Sequence, residues 1–145
     1  MAASEENIRT EMQATLKSFL ENYDTAVEKQ DTCYLSAKLT ADCERRLAPT
    51  SYLATFSAAK AAETNGEYEA RMKGEIAVME ATRHKVLSLV VDPVERKGSA
   101  HAEHWTKVQG HEGITLEICW FVDFTPDGRA ISKMWSLSTL QKRRE

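Results

Sequence analysis

Of the four histidines in the chain, His104 is the one placed to do chemistry. It falls in an alternating stretch with Ala100, Ala102 and Thr106, small or apolar residues that share its side of a strand. An imidazole titrates near neutrality. In an apolar pocket it can take a proton from one substrate atom and return it to another. A core histidine satisfied by one hydrogen bond is the competing use of the same side chain. Arg45 and Arg46 are adjacent in a short extended segment, so one points inward and the other outward. The phase that turns Cys43 and Leu47 inward selects Arg45. An inward guanidinium can hold a carboxylate, ester or enolate oxygen through a charge-assisted bond, whereas pairing with Asp42 or Glu44 would be structural only. Glu63, with Lys60, stands in an Ala-rich segment expected to cross a pocket mouth, where a mobile lid could deliver its carboxylate. Asp123 is the reserve base, because pairing the strands puts it on the outer face and a slip of one residue would reverse that.

A site of this kind needs apolar walls, and Tyr23, Tyr34, Tyr68, Met72, Trp120 and Met134 are the candidates to line it. A metal centre is not expected. His101 and His104 are three apart on a strand and so face opposite ways, and His111 and Glu112 sit in a hairpin loop. No nucleophile elbow, Walker loop, dinucleotide fingerprint or HExxH motif is present, so no cofactor is expected. Cys33, Cys43 and Cys119, odd in number and scattered, read as small buried hydrophobes in a reducing compartment rather than a disulfide framework.

These residues need a scaffold, and 145 residues suffice for one domain spanning 1–145. With 42% hydrophobic and 28% charged residues, the chain is expected to fold as a cytoplasmic globular protein. A net charge of -3 argues against a nucleic-acid surface. No apolar run reaches the roughly 20 residues of a membrane span, and the acidic start lacks a signal-peptide pattern. Ile8, Met12, Leu16, Phe19, Leu20, Tyr23 and Val27 recur at three and four and predict a long first helix, with Ser4 or Asn7 as its cap. A shorter helix is expected over 33–39, an edge strand over 42–49, and a loop with a helical turn over 50–64. A further helix carries Tyr68, Met72, Ile76 and Met79 on its inner face. From residue 83 the pattern is that of strands, over 86–91, 99–108, 114–124 and 130–139, with a tight turn at Thr125-Pro-Asp-Gly128.

Helices followed by an antiparallel meander make an α+β fold, a cone-shaped curved sheet packed against N-terminal helices. Pairing the hairpins sets Trp120 opposite Met134, Val122 opposite Ser132, and Ile118 opposite Ser136, with Ala102 near Trp120 and His104 near Ile118. The inner face is then mostly apolar, with His104 its one ionisable group. The outer face carries Trp105, Phe121 and Trp135 among charges, and a homodimer packed sheet to sheet would cover them.

The long first helix, Asp42-Cys43…Leu47-Ala48-Pro49-x-Ser51, Asn65-x-Glu67-Tyr68, Val90-Val91-Asp92 with Arg96-Lys97, and Phe121-x-Asp123-Phe124-x-x-Asp127-Gly128-Arg129-x-Ile131 carry a likeness over almost the whole chain. It resembles the SnoaL-like branch of the nuclear transport factor 2-like superfamily, and within it the small fungal enzymes of meroterpenoid pathways. The resemblance implies a homodimer and a cofactor-independent isomerase or cyclase that rearranges a bulky polycyclic intermediate. One departure stands out. SnoaL-type cyclases place an acidic base on the late strands, where this chain has Ser132 and Ser136. The expected chemistry is proton abstraction next to a carbonyl by His104 or a nearby carboxylate, with Arg45 or pocket hydroxyls stabilising the enolate. A non-catalytic ligand- or protein-binding module, or a hydrolase or dehydratase on the same scaffold, are the alternatives.

Overall fold

The computed structural model describes residues 4–48 and 62–138. Helix α1 (Glu5–Lys29) starts where Ser4 accepts a hydrogen bond from the Asn7 amide, with Glu5 and Glu6 against its positive end. It ends at Gln30 in the left-handed region (φ 52), whose side-chain amide donates to Val27 O and Ile76 O. That pair of bonds ties the end of α1 to helix α2 (Asn65–Ala77). A reciprocal capping box between Thr64 and Glu67 opens α2. The helix expected over 33–39 is instead a 3-10 helix, Thr32–Ser36, capped by Asp31. It is cut short because Leu39 already belongs to a strand.

Six strands make one sheet: β1 (Leu39–Ala48), β2 (Ala62–Glu63), β3 (Met79–Asp92), β4 (Lys97–Val108), β5 (Ile114–Phe124) and β6 (Ile131–Ser138), in the order β2-β1-β6-β5-β4-β3. The meander is as expected, but the early strand is not the edge. β1 runs parallel to β6, and the two-residue β2 covers its other side. β3 also starts earlier than expected, directly after α2, so Met79 opens a strand instead of closing a helix.

The register differs from expectation by two residues at both hairpins. Trp120 lies opposite Ser136 and Val122 opposite Met134, while Ala102 faces Ile118 and His104 faces Leu116. A two-residue shift keeps every side chain on its face, so the inward set survives. α1 seats Met12, Leu16 and Leu20 on that face against Ala102, Val122 and Ile131. Full burial of each such leucine contributes roughly 2 kcal/mol. Gly128, at φ 73, lets the β5–β6 turn close onto α1, where a Cβ would come within 2.8 Å of Met12. Thr15 then donates to the Gly128 carbonyl at 2.8 Å.

On the outer face Phe121 is 49% exposed and Leu137 37%. Trp105 is covered from within the chain by Arg83, 4.5 Å over its ring, and lies against Gly113. The cysteines divide: Cys43 is buried, Cys119 is half-buried, and Cys33 is exposed on the 3-10 helix, against the expectation of burial for all three. Among the described residues no helix is long and apolar enough to cross a membrane.

Candidate active site

Between the helices and the concave side of the sheet lies a cavity of about 340 Å³, within the range of small-molecule sites. Phe19, Leu20, Leu116, Ile118, Trp120 and Met134 give it an apolar wall, and polar groups enter at two places. One carries His84 and His104, the other Arg45 with Tyr68 and the exposed Glu75, which Arg71 holds at 3.4 Å.

His84 and His104 are cross-strand partners on β3 and β4. Their rings stack almost parallel, 4.2 Å apart at 6°. Tyr23 meets both edge-on, at 5.4 Å from His84 and 4.8 Å from His104. Behind them stands Asp24 of α1. One of its oxygens accepts from Thr82 Oγ1 at 2.7 Å and lies 2.9 Å from His84 Nδ1; the other accepts from the His84 amide at 3.1 Å. A carboxylate only accepts, so Nδ1 carries the proton and the Nε2 lone pair of His84 is left for a reacting partner. Burial alone would raise the Asp24 carboxyl, but the bonds from His84 and Thr82 outweigh it and hold the pKa below the usual value.

His104 behaves differently. Burial, helped by the positive charge its neighbour can carry, lowers its pKa to about 4, so it is a neutral imidazole at pH 7. Its Nε2 lies 3.2 Å from Thr106 Oγ1. Burial also pushes the Tyr23 phenol well up, which keeps it a neutral hydrogen-bond donor. The arrangement thus offers an oriented imidazole base, a neutral imidazole stacked on it, and a protonated phenol.

Asp24, His84 and His104 bring one donor atom each within 4.8 Å of one another. A tetrahedral ion with bonds near 2.0 Å needs donors only about 3.3 Å apart. Parallel rings send their lone pairs side by side, and one His84 nitrogen is already engaged with Asp24. Within the cluster Asp24 and His84 are hydrogen-bonded, and His104 is stacked on His84 without a bond to either.

At the second place Arg45 points inward, as its strand phase predicted, and is 5% exposed. Its Nη2 donates to the Leu35 carbonyl and to Ser36 Oγ at 3.3 Å, and its guanidinium lies 3.8 Å over the Tyr68 ring. Nε has no partner. Glu63 sits directly across from Arg45 in the β1–β2 pair. It does not bond it. Both Glu63 oxygens are taken by Arg71 of α2, at 2.9 and 2.7 Å. Glu63 is therefore 4% exposed in a buried fork and does not line the cavity, which corrects its placement on a lid. Lys60 and the rest of 49–61 lie outside the described residues.

Tyr23, Tyr68, Trp120 and Met134 line the cavity as expected, but Tyr34 and Met72 do not. Met72 fills a separate core with Val27, Leu35 and Ile76, and Tyr34 packs against that core. Asp123 lies on the outer face, 3.7 Å from Lys97 Nζ. His101 is likewise outside, bonded to Glu117 at 2.9 Å. The sequence reading missed His84 and Asp24. The signal for Asp24 was a carboxylate four residues after Leu20 on the buried helical stripe.

No protein-family model and no curated protein matches the sequence. Solved structures do. The BvnE pinacolase from Penicillium brevicompactum superposes with a TM-score of 0.78 at 16% identity, over 94% of this chain and 88% of that one. AusH from Aspergillus nidulans gives 0.77 at 18%, over 93% and 88%. An NTF2-like protein of unknown function from Burkholderia pseudomallei gives 0.65 at 11%, over 87% and 88%. At such identities the likeness shows the fold, which is the α+β cone expected from the sequence.

Proposed function

We propose that this nuclear transport factor 2-like chain is a cofactor-independent isomerase or cyclase that rearranges a bulky, largely apolar polycyclic natural-product intermediate by proton transfer. The observation that carries the reading is the Asp24–His84–His104 array on the wall of an apolar cavity. His84 Nε2 takes a proton from a carbon next to a carbonyl, and the imidazolium that forms lies against Asp24. Tyr23 donates to the carbonyl oxygen as charge develops on it. The same imidazolium then returns the proton to another carbon, so no net charge is left in the cavity. His104, neutral and stacked, holds the His84 ring in place. That a pinacolase shares the fold supports a rearrangement as the reaction class.

The test is exchange of solvent deuterium into the carbons flanking the carbonyl of a fused tricyclic ketone, followed by NMR. The protein is expected to accelerate exchange, and His84→Asn to slow it at least 100-fold with the fold intact by circular dichroism. Equal rates for the two proteins, or no acceleration at all, would remove the relay from the mechanism.

The outer face supports a homodimer as part of the same reading. Phe121 and Trp135 are cross-strand partners there, as are Cys119 and Leu137, and Val90 on the same face is 60% exposed. Light scattering is expected to give twice the chain mass, and Phe121→Glu to give the single mass.

A further inference from the structure

Arg45 is a buried cation in want of an anion. Its neighbour Arg46 turns outward and pairs with Glu44 at 2.9 Å, the ordinary arrangement for an arginine. Arg45 instead is 5% exposed and lines the cavity, and among the described residues no carboxylate bonds it. Glu63, its partner on β2, is forked onto Arg71, which also reaches Glu75 at 3.4 Å, so two guanidiniums flank Tyr68, at 3.8 and 5.3 Å from its ring, and both of these carboxylates are held by Arg71. Among the described residues Arg45 bonds only through Nη2, to Leu35 and Ser36; Nε, sealed from solvent, has no acceptor. Removing a charge from water costs several kcal/mol, and a carbonyl, a hydroxyl and an aromatic face offset only part of that. Glu63 and Glu69 lie near enough to favour the charge without bonding it.

We propose that Arg45 anchors an anionic oxygen group of the substrate, a carboxylate by preference, so that the substrate class is a polycyclic apolar acid held by its acid end at β1 while its carbon skeleton reaches the histidine pair at β3 and β4. This rests on the isomerase reading for what happens to the skeleton, but the anchor itself is a matter of binding. A carboxylate gives Arg45 the direct anionic partner that Glu63 and Glu75, both held by Arg71, do not. It also fixes the orientation of a substrate whose remaining surface offers the cavity only apolar contacts. A neutral ester of the same skeleton would leave the guanidinium both desolvated and unpaired.

The experiment compares dehydroabietic acid, a tricyclic carboxylic acid, with its methyl ester by titration calorimetry on the wild-type chain. The ester is the more apolar, so without an anchor it binds at least as well. The expectation is the reverse, with the acid bound at least ten-fold more tightly. Arg45→Met is expected to abolish that preference and Arg45→Lys to retain part of it. Equal binding of acid and ester by the wild type, binding of neither, or a preference that survives Arg45→Met would each overturn the anchor. Should Arg45→Met not fold, the wild-type ratio decides alone. Failure here leaves the relay standing, because deuterium exchange is read on a ketone that has no acid group.

Discussion

The two polar places in the cavity handle buried charge in opposite ways. At the histidine wall the carboxylate is fully engaged and the His84 Nε2 lone pair is left open. Asp24 accepts from Thr82, the His84 ring and the His84 amide, and the rings cover each other. At the arginine wall Glu63 and Arg71 are mutually satisfied, but Arg45 is left with an unused donor. A satisfied network fixes geometry and tautomer, which is what proton transfer needs. An unsatisfied cation stores affinity that only an incoming group can realise. On the proposed reading one wall reacts and the other holds.

The comparison breaks most readily at Asp24. In Asp24→Asn the side-chain amide can donate to Nδ1, which shifts the His84 proton to Nε2 and removes the base. Loss of the correct tautomer costs on the order of 10⁴-fold in rate. The expected result is that loss in deuterium exchange, with little change in how tightly the tricyclic acid binds. A variant that exchanges at the wild-type rate would show that the histidine wall is merely a packed one.

Glu63→Gln tests the other wall. It removes the buried partner of Arg71, which keeps only its exposed contact with Glu75 at 3.4 Å. Breaking a buried pair by removing one partner costs about 3 kcal/mol or more. Denaturant titration should show that loss of stability, while exchange per folded molecule stays unchanged. A collapse of exchange with stability intact would restore Glu63 to the chemistry.

His104 gives an effect of similar kind that depends on pH. The folded protein keeps His104 neutral down to about pH 4, whereas the unfolded chain binds a proton near the ordinary 6.5. Between those values the unfolded state holds more protons, so stability falls as pH drops through that window. The whole shift amounts to about 3 kcal/mol. His104→Gln lacks that titration and is expected to lose less stability than wild type between pH 7 and pH 4. Parallel curves for the two proteins would mean that His104 is as well solvated as a surface histidine.

How much of this was legible in the sequence depends on what each feature rests on. Periodicity placed α1, α2, the late strands and the inward phase of His104 and Arg45, because burial on one face is written directly in residue type. The partner of His104 was not legible, for two reasons. Strand β3 begins seven residues before its apolar run, through Glu80, Arg83 and Lys85, whose charges read as loop. A register irregularity between Val86 and Ser88 then decides whether His84 or Lys85 lies opposite His104. Leu89 pairs with Ala100, and continuing that count without a break would bring Lys85 to His104. Nothing in residue type announces the extra residue. Glu63 was misplaced for a related reason, since a two-residue strand carries no period of its own.

The smallest effect is expected at Asp123, and it sharpens the comparison by testing the face on which every inward assignment depends. Asp123 pairs with Lys97 in the β4–β5 ladder and its carboxylate lies 3.7 Å from the Lys97 ammonium, a long and partly solvated contact. Exposed ion pairs of that kind contribute about 0.5 kcal/mol. Asp123→Asn should therefore shift the unfolding midpoint by a degree or so at low salt, roughly the shift that 0.5 kcal/mol gives a chain of this size. Raising the salt should erase even that. Exchange on the tricyclic ketone should not change. The neighbours make the reason concrete: Val122 and Phe124 are buried on the inner side at 2% and 5% exposure, so the residue between them must face out. A large loss of exchange in Asp123→Asn would mean that β5 is turned over by one residue. That would carry Trp120 out of the cavity and Val122 out of the core and turn Phe121 and Asp123 inward, and neither wall would then have the partners described for it.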